Sequence, residues 1–286
     1  MTATSVRRVA RALALGVTAA RALAAAGGRA RVLARPGGAA FLTAAGEIVW
    51  LGPATAPLHP RAMLVTVVPD ADIGAELCVD AAGLTPWQPA TPPLNAAAAV
   101  TMRAGWARLR SDLHMLGAPA GFGALLAGAP LAFPLDGAGT EARALAEACA
   151  RDDAAAGVPP ALALLGLGGG LTPSGDDFVG GALFARHVLA GAGAADAPGW
   201  RRVADTVRDA APARTHPISA ALLGDLASGR GHAPLHDLMA ALAADDGARA
   251  RDAAARLVRL GHSSGWDILT GVAAGLAGGP PRETVQ

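Results

Sequence analysis

Lysine is absent from this chain of 286 residues, so all 24 of its basic side chains are arginine. That absence excludes Schiff-base, carbamylated-lysine and Walker-lysine chemistry, and leaves arginine to do any cationic work. Cysteine is scarce as well. Cys78 and Cys149 stand far apart and outside any CxxC or Cys/His spacing, which excludes a disulfide framework and a thiolate zinc site. A net charge of +1 lacks the positive excess that drives phosphate-backbone binding, so nucleic acid is not expected as a partner. Long apolar runs are missing too. Arg11 and Arg21 interrupt the alanine-rich N-terminal stretch well before the roughly 20 apolar residues a membrane span requires. That stretch is expected to be an amphipathic first helix rather than a targeting segment, in a protein expected to be cytoplasmic and free of membrane contact.

What the chain does have is a hydrophobic content of 52%, enough for a substantial core. Short runs such as ARVLA, AAFLTA, EIVWLG and AMLVTVV, with Gly and Pro between them, signal strands. The AAGEI segment reads as a tight turn with Gly46 at positive φ, which favours an antiparallel meander. Residues 82–95, AGLTPWQPATPPLN, are too rich in proline for a helix or a central strand and form the candidate linker. Beyond them helical spacing dominates. The expected fold is α+β: a leading helix and an antiparallel strand-rich half over residues 1–95, then a mostly helical half over 96–286 that carries the motifs.

The most informative run is Gly166 to Gly181, GLGGGLTPSGDDFVGG. Gly168, Gly169 and Gly170 allow close approach of backbone N–H groups to a ligand, and Gly175 does the same nearer the helix. Thr172 and Ser174 are candidate caps of the helix that Asp176 and Asp177 begin, and a helix start favours a small anion. The carboxylates oppose an anion, so a division of labour is expected. One caps or pairs while the other binds a metal, orients a substrate N–H or serves as a base, because neighbouring helical positions point about 100° apart. A second polar corner holds His262, Ser263 and Ser264, with His262 a candidate acid or base. A third places Arg214, Thr215 and Ser219 around Pro217, with Arg214 the best-placed cation for a carboxylate or phosphate. The P-S-G-D context of Ser174 lacks the GxSxG elbow of serine hydrolases. The three corners are expected to line one pocket. No cofactor is expected; Mg²⁺ is chemically possible, but no ligand spacing indicates it.

Three stretches, LLGLGGGLTPSGDDFVGG, THPISAALLGDLASGRG and LGHSSGWDILTGV, resemble segments of the AllH-like family, described as a subunit of oxamate carbamoyltransferase in allantoin and purine degradation. The resemblance implies transfer of a carbamoyl group between carbamoyl phosphate and oxamate, and association with other carbamoyltransferase subunits. It carries over to Gly168 through Asp177 and to His262, Ser263 and Ser264. His216 and Ser263 stand where threonine is commoner in the family, which weakens any strict hydroxyl role for position 216. Asp176, Asp177 and His262 are thus the candidate catalytic groups, and the glycines, hydroxyls and Arg214 the candidate anion binders. The alternatives are a non-catalytic scaffold subunit and an Asp/Mg²⁺-dependent phosphate- or nucleotide-binding enzyme.

Overall fold

The computed structural model describes residues 8–90 and 94–277. Two compact units divide the chain, Met1–Ala90 and Thr91–Gln286. In the first, six strands close into a barrel: β1 (Arg8–Leu15), β2 (Arg29–Ala34), β3 (Ala40–Ala44), β4 (Glu47–Pro53), β5 (Ala62–Val65) and β6 (Glu76–Asp80). Their order around the barrel is β1-β5-β4-β3-β2-β6.

This corrects the antiparallel expectation. The sheet is mixed, with β1 parallel to β6 and β4 parallel to β5, while β2, β3 and β4 pair antiparallel. Ala45 and Gly46, both at positive φ, make the two-residue turn between β3 and β4. The leading helix is also corrected. Residues 8–15 form β1, and helix α1 occupies only Val17–Ala25. Alanine favours a helix locally, but burial along β1 alternates: Ala10 and Ala12 face inward, while Val9, Arg11 and Leu13 face out. Small side chains suit the narrow interior, where they meet Val32, Leu42, Val49, Leu51, Met63 and Val79. By pairing with both β5 and β6, β1 closes the barrel and removes its free edges, a tertiary gain that overrides helix propensity.

Part of the candidate linker belongs to the barrel. The Trp87 N–H donates to the Leu15 carbonyl and its carbonyl accepts from Val17 N–H, so the chain is pinned to the end of β1; residues 91–93 lie outside the described residues.

The second unit is helical: α2 (Ala96–Ser111), α3 (Gly123–Leu126), α4 (Gly139–Arg151), α5 (Ala154–Leu164), α6 (Ser174–Gly191), α7 (Ala197–Arg214), α8 (Pro217–Ala227), α9 (Ala233–Ala243), α10 (Gly247–Leu257) and α11 (Ser264–Leu276). Helix α6 is buried around most of its circumference and serves two hydrophobic clusters. One includes Phe184, Leu189 and Ile268, and the other Phe178, Val179 and Leu183. Helix α11 runs alongside it in the same direction. The two backbones nearly touch: a Cβ on Gly181 would lie 2.3 Å from the Ile268 carbonyl oxygen, and one on Gly271 would lie 2.0 Å from that of Phe178. Among the described residues no helix is long and apolar enough to cross a membrane.

Candidate functional site

Side-by-side packing in one direction brings the starts of α6 and α11 together. Helices α2, α5, α7 and α10 each have an N-cap side chain, Asn95, Asp153, Asp196 and Asp246, accepting from a first-turn N–H. The two central helices do not. Pro173 occupies the N-cap position of α6, and Ser263 at that of α11 makes no capping bond. The caps expected from Thr172 and Ser174 are therefore replaced by bonds between the helices, made with Ser263 and Ser264. Thr172 Oγ1 lies 3.1 Å from Ser264 Oγ, and Ser174 Oγ lies 3.3 Å from Ser263 Oγ. These four hydroxyls form a quartet across the paired helix starts. At α8 the cap is His216, whose Nδ1 accepts from Ile218 N–H at 3.2 Å.

The adjacent aspartates divide as their helical spacing dictates. Asp176 turns toward α8: its Oδ1 accepts from Gly166 N–H at 2.8 Å, and its Oδ2 accepts from Ser219 Oγ at 2.6 Å and from Thr215 Oγ1. Both oxygens are occupied, so Asp176 ties the glycine loop to the α7–α8 corner. Asp177 turns toward α11 and is buried, with Oδ2 meeting no hydrogen-bond partner. Burial pushes its carboxyl well above the usual range. The Ser264 hydroxyl pulls it back, and the negative charges of Asp267 and Asp176 push it further up.

Asp267, on the first turn of α11, was not among the candidate site residues. It is fully buried, its Oδ1 accepts from Phe122 N–H at 2.6 Å, and its Oδ2 is unpartnered. Burial raises its carboxyl to about 6, against the Phe122 N–H and the Ser263 and Ser174 hydroxyls. Gly121, at φ +55, lets the chain reach it, since a Cβ there would lie 2.2 Å from Asp267 Oδ1. The sequence offers only a lone acid three residues after Ser264 in a mostly apolar helix.

The glycine loop lies over the start of α6. Gly168 (φ +116) and Gly170 (φ +86) hold backbone angles that side chains disfavour, and Gly169 between them does not. Among the described residues no protein acceptor meets the N–H groups of Gly168, Gly169, Gly170, Leu171, Thr172 or Ser174. The next N–H groups are already used, by Leu167 O for Gly175 and by Pro173 O for Asp176 and Asp177. Apart from Ser174 at the start of α6, the donors free for a ligand belong to the loop. Gly169 and Gly170 are exposed, with nothing within 4 Å of a Cβ at either.

Hydrogen bonds thus join the first corner to both of the others: to Ser263 and Ser264 through Thr172 and Ser174, and to Thr215 and Ser219 through Asp176. Two candidates stand apart. Arg214 is exposed and donates from Nη1 to the Leu162 carbonyl at 3.0 Å, and His262 is exposed. Neither meets the quartet among the described residues. No group of three or more His, Cys, Asp or Glu among the described residues is placed to hold a metal. A cleft of about 100 Å³ between α2, α9 and α10 is lined by Arg108, Asp112, Asp245 and Arg251, and shares no residue with the hydroxyl quartet. Its arginines are paired with its aspartates.

No curated protein and no solved structure matches the chain. The span from the last residue of α5 to the last of α11 contains the glycine loop, all three corners and Asp267. Over that span, residues 164–276, the chain matches the family model described as "Oxamate carbamoyltransferase subunit AllH", and the family assignment this supports is AllH-like.

Proposed function

We propose that this chain is a subunit of an oxamate-carbamoyltransferase-like enzyme in which the Gly168–Thr172 loop holds the phosphate of carbamoyl phosphate and the Thr172–Ser264 hydroxyl pair, backed by Asp177, handles the proton. The observation that carries the reading is the set of unpartnered loop N–H groups beside those hydroxyls. Carbamoyl phosphate and oxamate are small anions. Fixed N–H donors suit a phosphate, and they gain strength as charge develops on the leaving oxygen.

In the forward direction the oxamate amide nitrogen attacks the carbamoyl carbon. A C–N bond forms, the C–O bond to phosphate breaks, and the nitrogen gives up a proton. When ionised, a buried carboxyl with a raised pKa is a better base than an ordinary aspartate. Asp177 lies behind Ser264, and Ser264 meets Thr172, so the proton has a path from the loop to the carboxyl and back to the departing phosphate. Asp176, with both oxygens occupied, positions the loop. Other subunits of the complex, named in the family description only by implication, complete the enzyme.

Gly169 tests the phosphate site. A Cβ there meets open space and the residue is not left-handed, so Gly169→Leu in the full chain is expected to fold normally while placing a side chain over the donors. Calorimetric titration with carbamoyl phosphate and with inorganic phosphate is expected to show at least about tenfold weaker binding, about 1.4 kcal/mol. Binding equal to the unsubstituted chain, with an unchanged circular-dichroism spectrum, contradicts the proposal. Unchanged binding with lost association to partner subunits points instead to a scaffold.

A further inference from the structure

The starts of α6 and α11 are two copies of one device. Ser174-Gly175-Asp176-Asp177-Phe178-Val179-Gly180-Gly181 and Ser264-Gly265-Trp266-Asp267-Ile268-Leu269-Thr270-Gly271 share Ser, Gly, Asp and Gly at the first, second, fourth and eighth places. Each shared residue has the same role in both. A Cβ on Gly175 would lie 1.9 Å from the carbonyl oxygen of Leu164, the last residue of α5; one on Gly265 would lie 2.0 Å from that of Leu257, the last residue of α10. Gly181 and Gly271 each receive a carbonyl of the other helix, from Ile268 and Phe178. The shared serines belong to the hydroxyl quartet, with Ser174 meeting Ser263 and Ser264 meeting Thr172. The shared aspartates, Asp177 and Asp267, are each buried with one unpartnered oxygen.

We propose that Asp177 and Asp267 work as one unit that carries a single proton through neutral pH, with Asp267 as the positioning residue that keeps Asp177 able to hold or release it. Two buried carboxylates without a cation are mutually destabilising, and retaining one proton removes that conflict. No arginine or histidine hydrogen-bonds to either carboxyl among the described residues. The charges that bear on Asp177 are acidic, those of Asp267 and Asp176. Asp267 is met by the Phe122 N–H and by hydroxyls. Arg186, more than two turns further along α6, bonds to Asp152 and to the carbonyls of Cys149 and Gly275. Burial raises both carboxyls, in line with the geometry. One arm ionised and one neutral gives the helix pair both a base and an acid behind a shared row of hydroxyls.

The proposal gives the carbamoyl-transfer reading its proton inventory and rests on that reading for its use, but it is measured without turnover, so either can fail alone. The full chain carrying ¹³C-labelled aspartate carboxyls is titrated by NMR. Two carboxyl signals are expected to titrate in separate steps, the upper one above neutral pH. In Asp267→Asn the Asp177 step is expected to move down by about one pH unit or more, the size of shift that marks coupled sites. An Asp177 step that does not move in that variant overturns the proposal. If the variant fails to fold, the unsubstituted chain still decides, because both carboxyls fully ionised at pH 7, or both fully protonated, contradicts a one-proton pair.

Discussion

Replacing Gly271 by alanine is expected to unfold the helical unit or cost it about 4 kcal/mol or more, the range reached only when a core is overpacked against something that cannot yield. The added methyl would lie 2.0 Å from the carbonyl oxygen of Phe178 and 2.9 Å from the amide nitrogen of Ala182, both backbone atoms of α6. No rotamer change relieves that contact. Helices α6 and α11 would have to separate, which also pulls Ser264 from Thr172 and Ser263 from Ser174. Gly191→Ala, in the last turn of α6, is the control: nothing lies within 4 Å of its Cβ, so the greater helix propensity of alanine should raise stability by up to about 1 kcal/mol. Urea unfolding of the two variants separates the contributions, and equal midpoints would show that the helices are not in backbone contact.

Asp267→Asn is expected to stabilise the protein increasingly as pH rises. Burial raises the carboxyl to about 6 in the fold, against 3.8 for an aspartate in water, so between those values the folded state keeps a proton that the unfolded state has released. Stability therefore falls as pH rises through that window, by about 3 kcal/mol, and the loss persists above it. Asparagine removes the titration while its carbonyl oxygen still accepts from Phe122 N–H. Measured against the unsubstituted chain, the variant should gain stability between pH 4 and pH 7, then hold a constant advantage. A difference that does not change with pH would mean that folding does not raise the Asp267 carboxyl.

The sequence showed the parts of the site better than their partners. Glycines and hydroxyls clustered at Gly166–Gly181 and at His262–Ser264 mark irregular backbone at helix starts, and both starts are present. Which hydroxyl meets which depended on α6 and α11 lying side by side, and a cap and an interhelical bond have the same local sequence. Asp267 was not a candidate because one acid in a mostly apolar helix carries no local sign of burial, and because only four of eight positions repeat between the two helix starts. Arg214 drew attention as a cation beside a helix start, yet its side chain reaches back to the end of α5. In the barrel, strand β1 reads as a helix because alanine, the best helix former, fills its inward positions. The parallel pairing of β4 with β5 is set by closure of the barrel, which no short window of sequence contains.

In the proposed reaction the proton is handled by a hydroxyl pair, Thr172 and Ser264, backed by the buried carboxyl of Asp177 and set beside a loop of free N–H groups. Oxalurate phosphorolysis by the assembled complex carrying Asp177→Asn tests it most directly. With assembly and carbamoyl phosphate binding intact, turnover is expected to fall at least about 100-fold, the scale of a lost general acid–base group, since the departing oxamate nitrogen must regain the proton in this direction. Near-normal turnover by that complex would contradict it.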